Sequence, residues 1–195
     1  MAHDVTLVVT DDLSRSRLTV FFRLLLAIPH FIWLALWGIA AWVAGVIAWF
    51  AALFTTRVPG GLHEFLARYV RYQVHVYAYL SLAADPFPKF DGAEGYPIDV
   101  KIAPPREQNR LTVFFRLLLA IPAIVISGVM NYLIEILAFF AWFVCLALGR
   151  MPEGMRNLLA FTIRYHAQTQ AYYSLVTPQY PSFNVELDAA PARSS

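Results

Sequence analysis

Charged side chains are scarce in this sequence, and their scarcity excludes several classes of protein. Only 14% of the 195 residues are Asp, Glu, Lys or Arg, and the formal net charge at pH 7 is +2. Soluble domains have about 25% charged residues, and nucleic-acid-binding domains concentrate basic residues on one face. The composition therefore argues against an ordinary soluble domain and against a nucleic-acid partner.

Cysteine and the residue patterns of common catalytic sites are also missing. Cys145 is the single cysteine, so no disulfide can form within the chain. There is no Gly-rich phosphate loop and no GxSxG, and His63-Glu64 lacks the second histidine of a zinc-protease helix. We therefore expect no catalytic residues, no metal site and no cofactor, which favours a protein that is not an enzyme.

Apolar residues are correspondingly abundant in this chain. They account for 59% of the chain, and the mean hydropathy is +0.55. From Leu24 to Thr56 the only strongly polar side chain is His30. A helix needs about 20 apolar residues to cross a bilayer, and Pro29 is tolerated in a first turn. We therefore predict membrane spans at His30–Phe54 and at Ala123–Leu148.

The chain is a tandem duplication. The string RLTVFFRLLLAIP begins at Arg17 and again at Arg110, 93 residues later. The same offset holds to the end of the unit, where Phe90 matches Phe183. Such a repeat is evidence of two copies of one structural unit. We predict a first repeat at 1–92, a second at 93–188 and a disordered tail at 189–195.

Short alternating segments accompany each unit. Val5–Val9 precedes the first unit, Ile98–Ile102 precedes the second, and a similar segment, 183–187, follows it. Alternation of apolar and polar residues predicts strands. The three segments are expected to form a small sheet at the membrane surface.

Three motifs resemble those of a known family. They are the RLTVFFRLLLAIP opening, the FTTRVPGGL turn and the RY…AYL…PF ending, and together they extend over nearly the whole chain. They are similar to the bacterial membrane family known as domain of unknown function 4389, whose members often carry two copies. The resemblance implies membrane residence, and it carries no activity and no catalytic residue over to this chain.

The second helix of each unit allows two topologies. Leu62–Leu82 and Met155–Leu175 are long enough to span, but they carry several charged and polar residues. The arginines and lysines before each apolar stretch indicate the cytoplasmic side. One prediction is an all-α polytopic protein of two helical hairpins with about four spans, with short amphipathic helices and both termini inside the cytoplasmic membrane. The alternative folds each apolar stretch back at Gly38 and Asn131 and leaves the polar helix on the cytoplasmic surface.

Small residues follow one face of the first apolar helix. Helices in lipid associate through close packing of small side chains, and steps of three and four residues keep positions on one face. We predict that this face packs against a neighbouring helix: Gly38, Ala41, Gly45, Ala48 and Ala52.

The matching helix of the second repeat carries polar residues instead. Ser127, Asn131 and Glu135 are spaced by four and share a face. A charge within the bilayer is costly and needs a partner, so we predict that Glu135 pairs with Arg164 of the returning helix. In the first repeat Arg71 would face Trp42 instead. The polar network would also include His75 and Gln168, with Tyr72 and Tyr165.

Two interpretations of this polar site lead to two functions. A structural ion pair would fit a membrane scaffold or accessory subunit, whose partners are membrane lipids and either a partner protein or a second copy of the chain. A substrate or ion site would fit a small transporter or a channel-like protein. A lipid-modifying enzyme is a third possibility.

Overall fold

The computed structural model describes residues 3–184 and the short strand Asp188–Ala189. The chain is mostly helical, with a few short strands. In chain order the elements are β1 (Val5–Val9), α1 (Arg17–Thr55), α2 (Gly60–Leu80), β2 (Ile98–Ile102), α3 (Arg110–Phe114), α4 (Arg116–Leu148), α5 (Glu153–Tyr173) and β3 (Asp188–Ala189).

The sheet has the order β2-β1-β3. β1 and β2 pair antiparallel, with Val9 opposite Ile98, and β3 pairs parallel to β1. The first two predicted strands are confirmed at the predicted residues. The third is not: Phe183 and Asn184 are not in a strand, residues 185–187 lie outside the described part, and β3 begins at Asp188.

The long helices begin earlier than the predicted spans. α1 starts at Arg17 and continues through Pro29, and α4 starts at Arg116 and continues through Pro122. A proline removes one backbone hydrogen bond, and apolar surroundings favour retaining all the others in a helix. In the second repeat the helix is interrupted at Phe115, which separates α3 from α4.

A single stripe of α1 is buried. Its members recur every three or four residues on either side of a gap between His30 and Ala41: Val20, Arg23, Ala27, His30, Ala41, Ala44, Ala48 and Ala52. The other faces are apolar and exposed, as Leu24 (74% exposed) and Trp42 (72% exposed) illustrate. α4 has the same pattern. Both long helices therefore present apolar side chains to their surroundings over most of their circumference.

The shorter helices lie inside the molecule. α2 contacts α1 and β2, α5 contacts α4 and β1, and α2 and α5 contact each other. Their mean composition is much more polar than that of α1 and α4. We call α2, α5 and the three strands the polar layer. The sheet lies on one side of α2 and α5, and the long apolar helices lie on the other.

The repeats are related by an approximate two-fold rotation. The Arg15 N–H donates to Gly149 O (3.0 Å), and 93 residues later the Gln108 N–H donates to Thr56 O (2.8 Å). Two indole N–H groups repeat the relation, from Trp142 to Val20 O and from Trp49 to Val113 O. The start of each long helix thus lies beside the end of the other long helix. The two repeats therefore run antiparallel.

Two helices of the described residues, α1 and α4, are long and apolar enough to cross a membrane. α2 and α5 are not among them. The prediction of about four spans is therefore not confirmed.

Candidate functional site

The polar stripe of α4 divides between two sets of contacts. Ser127 is buried, and its Oγ lies 2.8 Å from His166 Nδ1 on α5. Asn131 Nδ2 donates to Glu135 Oε1 over 2.9 Å, and Glu135 is exposed on the outer face of α4. Asn131 and Glu135 therefore satisfy each other, while Ser127 bonds to the neighbouring helix.

The predicted ion pair between Glu135 and Arg164 is not formed. Arg164 is 2% exposed, contacts the face of Phe161 and lines a cavity beside β1 together with His3 and Gln168. Residues two apart on a helix point in directions that differ by about 200°. Because His166 faces Ser127 on α4, Arg164 faces the sheet instead.

Arg71, the counterpart of Arg164, also faces the sheet. Its guanidinium lies 3.5 Å from Asp99 and 3.0 Å from Glu94, and it donates to Val100 O. Trp42, the predicted aromatic partner of Arg71, lies on the exposed face of α1. That pairing was therefore wrong for the same reason: Arg71 and Arg164 turn towards the strands.

Asp99 on β2 is the partner that the sequence did not indicate. Its carboxylate lies 2.9 Å from His75 Nε2 and accepts the N–H groups of Gly95 and Val100. Burial alone would raise the pKa of this carboxyl, but the hydrogen bonds from His75 and the two backbone groups together hold it below its ordinary value. The available signal was a carboxylate at Asp99, next to the buried Val100 within the predicted strand.

Gln168, the counterpart of His75, makes a neutral contact. Its Nε2 donates to Val5 O over 3.1 Å, and its Oε1 accepts the Ser182 N–H. The ring of Tyr165 stacks on Phe183, and Tyr72 Oη lies 2.6 Å from His30 Nδ1. The predicted polar residues therefore belong to several separate contacts around α2 and α5.

The predicted packing stripe of α1 faces inward. Ala41, Ala48 and Ala52 are buried, and a Cβ on Gly38 would lie 2.8 Å from Tyr69 Oη. A Cβ on Gly45 would meet nothing within 4 Å. The stripe therefore packs closely at most positions and borders empty space at Gly45.

An apolar cavity of about 570 Å³ accounts for that empty space. It lies between the repeats, with Gly38, Ala41 and Gly45 of α1 on one side. Polar side chains also line it, among them Gln73 from α2, Gln170 from α5 and Arg116 from the start of α4. The exposed Trp42, Phe50 and Leu117 form its rim, so the cavity opens onto the apolar surface of the long helices.

Arg116 is the most buried charged group of this cavity. It is 1% exposed and stacks on Tyr172, with its guanidinium carbon 4.3 Å from the ring centre. One terminal nitrogen donates to Thr177 O (3.3 Å), and the other donates to Gln108 Oε1. Among the described residues, Arg116 has no carboxylate partner.

The described residues contain no group of three or more His, Cys, Asp or Glu arranged to hold a metal ion. The described residues do provide an apolar exterior and a mainly apolar cavity that a few polar side chains also line. That arrangement suits binding of an amphiphile rather than chemistry on a water-soluble substrate.

Comparison with known proteins adds a family assignment. A protein-family model described as a domain of unknown function (DUF4389) matches the chain twice, over residues 17–91 and 110–184. No curated protein and no solved structure matches the chain. The matched ranges contain the five helices, and the three strands lie outside them. The repeated unit is therefore a long apolar helix followed by a shorter, more polar one.

Proposed function

The chain belongs to the DUF4389 family, and on the geometry above we propose that it is a non-catalytic membrane scaffold or accessory subunit that binds membrane lipid and a partner protein. α1 and α4 hold it in the bilayer. The polar layer offers the surface on which a partner binds.

The exposed apolar surface of α1 and α4 carries this proposal. Soluble monomers rarely expose continuous apolar patches of more than a few hundred Å². Here the large exposed side chains extend from Leu18 to Phe54 on α1 and from Leu117 to Leu148 on α4. Lipid tails are the partner that such a surface requires on all its outward faces.

The contacts at the ends of α1 favour one membrane topology. Arg15, just before α1, donates to Leu82 O (2.7 Å), while Thr56, just after it, accepts from Gln108, whose side chain reaches Leu175 O (2.7 Å). Both ends therefore lie at the polar layer. The linker 81–109 joins these ends alongside α2 and is rich in charged residues.

A charged linker cannot lie in hydrocarbon. The two ends of α1 are therefore proposed to lie at one membrane face, as in the fold-back alternative, and not on opposite faces, as in the four-span hairpin. α1 and α4 each continue as one helix past Gly38 and Asn131, so they are proposed to lie along that face, with their exposed apolar sides in the hydrocarbon and with α2 and α5 at the surface. The positive-inside rule then favours the cytoplasmic face of the cytoplasmic membrane for the polar layer and both termini.

The transport alternative depended on a pair between Glu135 and Arg164. Since these side chains face different neighbours, no specific observation favours transport. We therefore propose the scaffold function alone.

Cysteine accessibility tests this topology. In a Cys145→Ala background, single cysteines at Gly60 and Ala93 occupy exposed positions. A membrane-impermeant thiol reagent should label both from the same side in sealed vesicles. Labelling from opposite sides would support the hairpin instead. Ile39→Cys, exposed but on the apolar face of α1, is the control and should stay unlabelled until detergent is added.

Membrane residence is tested separately by an alkaline carbonate wash. The chain should remain in the vesicle pellet, because removing α1 and α4 from lipid would expose their apolar faces to water. Recovery of a monodisperse chain in the supernatant would overturn the proposed function.

A further inference from the structure

We propose that the cavity between the repeats binds one anionic phospholipid of the bilayer, with its phosphate on Arg116 and one acyl chain along the wall made by Gly38, Ala41 and Gly45. This inference rests on the proposed membrane function and specifies its ligand. The cavity volume of about 570 Å³ is within the usual range of ligand sites, about 300–1,000 Å³.

Two buried polar atoms of the cavity lining lack partners. Among the described residues, neither Arg116 Nε nor Gln73 Oε1 makes a hydrogen bond. One is a charged donor and the other is an acceptor. Arg23 Nε also makes no hydrogen bond within the described chain, so an open arginine Nε is common to both repeats. Buried polar groups are normally satisfied, and the open Gln73 Oε1 beside an arginine without a carboxylate partner among the described residues is what points to a ligand. A phosphate oxygen suits the arginine, and a headgroup hydroxyl suits the amide oxygen.

Comparison with the first repeat shows which negative charge is missing beside Arg116. Arg23, the counterpart of Arg116, makes a salt bridge of 2.7 Å with Asp85. In the second repeat the position of Asp85 is occupied by Pro178. Both arginines are buried and bond to backbone carbonyls. Arg116 alone lacks a counter-ion within the described chain, and a lipid phosphate would supply it.

The cavity wall also differs between the repeats. The positions of Gly38, Ala41 and Gly45 correspond to Asn131, Ile134 and Ala138 in the second repeat. The wall of small residues in the first repeat therefore lies next to Arg116 of the second repeat, the arginine that has no carboxylate partner among the described residues.

The position of the site suits a phospholipid. Arg116 lies at the start of α4 and bonds to Thr177 and Gln108, which belong to segments at the edge of the polar layer. The rim residues Trp42, Phe50 and Leu117 lie on the lipid-facing side. A headgroup could therefore reach Arg116 while the acyl chains remain in the hydrocarbon.

The experiment measures which lipids stay bound during purification. Full-length protein is reconstituted with equal amounts of phosphatidylglycerol and phosphatidylcholine of identical acyl chains. It is then re-extracted in mild detergent and examined by native mass spectrometry. We expect one phosphatidylglycerol per chain and little phosphatidylcholine.

Three variants test the assignment of residues. Gly45→Leu places a side chain in the cavity without a backbone clash, and Arg116→Gln removes the charge. Pro178→Asp introduces an internal carboxylate like Asp85. Each should reduce phosphatidylglycerol retention by about tenfold or more, since hydrogen bonds between charged groups contribute to binding on that scale. Gly128→Leu, an exposed glycine of α4 outside the cavity, is the matched control and should retain lipid.

The outcomes separate this inference from the proposed function. Equal retention of both lipids, or unchanged retention in Gly45→Leu and Pro178→Asp, would overturn the lipid site while leaving a carbonate-resistant scaffold intact. Because Arg116→Gln could fail to fold, these two variants, which leave the arginine in place, decide the result.

Discussion

The two repeats share their helix arrangement and several backbone contacts, but different side chains are buried inside them. In the first, His30 is fully buried, lies 2.6 Å from Tyr72 Oη and contacts the rings of Phe87 and Phe90. In the second, the position of His30 is occupied by Ala123, and Phe183 stacks directly on Tyr165, with ring centres 4.7 Å apart. The ring following the shorter helix thus packs in both repeats, but only the first buries a histidine beneath it.

The shared contacts explain how the interiors could diverge. In both repeats an arginine and a tryptophan of the long helix bond to backbone carbonyls, which exist whatever the side chain. Backbone acceptors make these contacts tolerant of substitution elsewhere. Side chains that take no part in these shared backbone contacts, such as those at Asp85 and Pro178, can differ between the repeats. Such differences can give the repeats different roles.

The largest expected effect concerns the two buried arginines. Arg23→Met removes a group that bonds to Tyr79 O, Ala84 O and Asp85, and should lower the free energy of unfolding by about 3–5 kcal/mol. Arg116→Met removes no carboxylate contact and should cost only about 1–3 kcal/mol. Unfolding in mild detergent, followed by tryptophan fluorescence, measures both. The reverse order would contradict the difference we draw between the repeats.

Exchange of the residues at the histidine position should give the next largest effect. His30→Ala leaves Tyr72 Oη without its partner and opens space among the rings, which should cost roughly 3 kcal/mol. Ala123→His adds a ring at a fully buried position and should cost about 1–3 kcal/mol through overpacking. The same unfolding assay applies. A stabilised Ala123→His variant would mean that the second repeat has room for the histidine after all.

A smaller effect should appear at low pH, at the contact between His75 of α2 and Asp99 of β2. The folded-state pKa of Asp99 is lowered, so its contribution is complete above the unfolded-state pKa of about 3.9 and is lost as the pH falls through the folded value. Asp99→Asn should cost roughly 2 kcal/mol at neutral pH and flatten the acid limb of a stability–pH curve. Gln168→Leu, at the neutral counterpart of His75, is the control and should leave the slope of that limb unchanged.

The smallest effect distinguishes two glycines of α1. Alanine is favoured over glycine within a helix by about 0.5–1 kcal/mol. Gly45→Ala should gain this amount, because its Cβ meets nothing within 4 Å. Gly38→Ala should gain less or lose stability, because Tyr69 Oη lies 2.8 Å from the new Cβ. Equal gains at both positions would mean that Tyr69 moves away at no cost.

Local patterns predicted much of the fold. β1 and β2 occur at the residues that alternation indicated, and the repeat offset of 93 residues recurs in pairs of hydrogen bonds. The predicted spans begin later than the helices because Pro29 was placed in a first turn, whereas both long helices continue through their prolines. The site was less predictable. The sequence shows that the repeats differ at Asp85 and Pro178 and at Gly38 and Asn131, but it does not show where these positions lie relative to the cavity.

The amino-acid sequence alone determined the duplication, two long apolar helices and two shorter polar ones, since these depend on composition and periodicity within one segment. Tertiary structure alone decided that the repeats run antiparallel, that Arg164 and Arg71 face the sheet, and that Arg116 borders a cavity. The reason is rotational: a polar side chain finds its partner according to how each helix turns about its axis when it packs, and distant segments set that turn jointly.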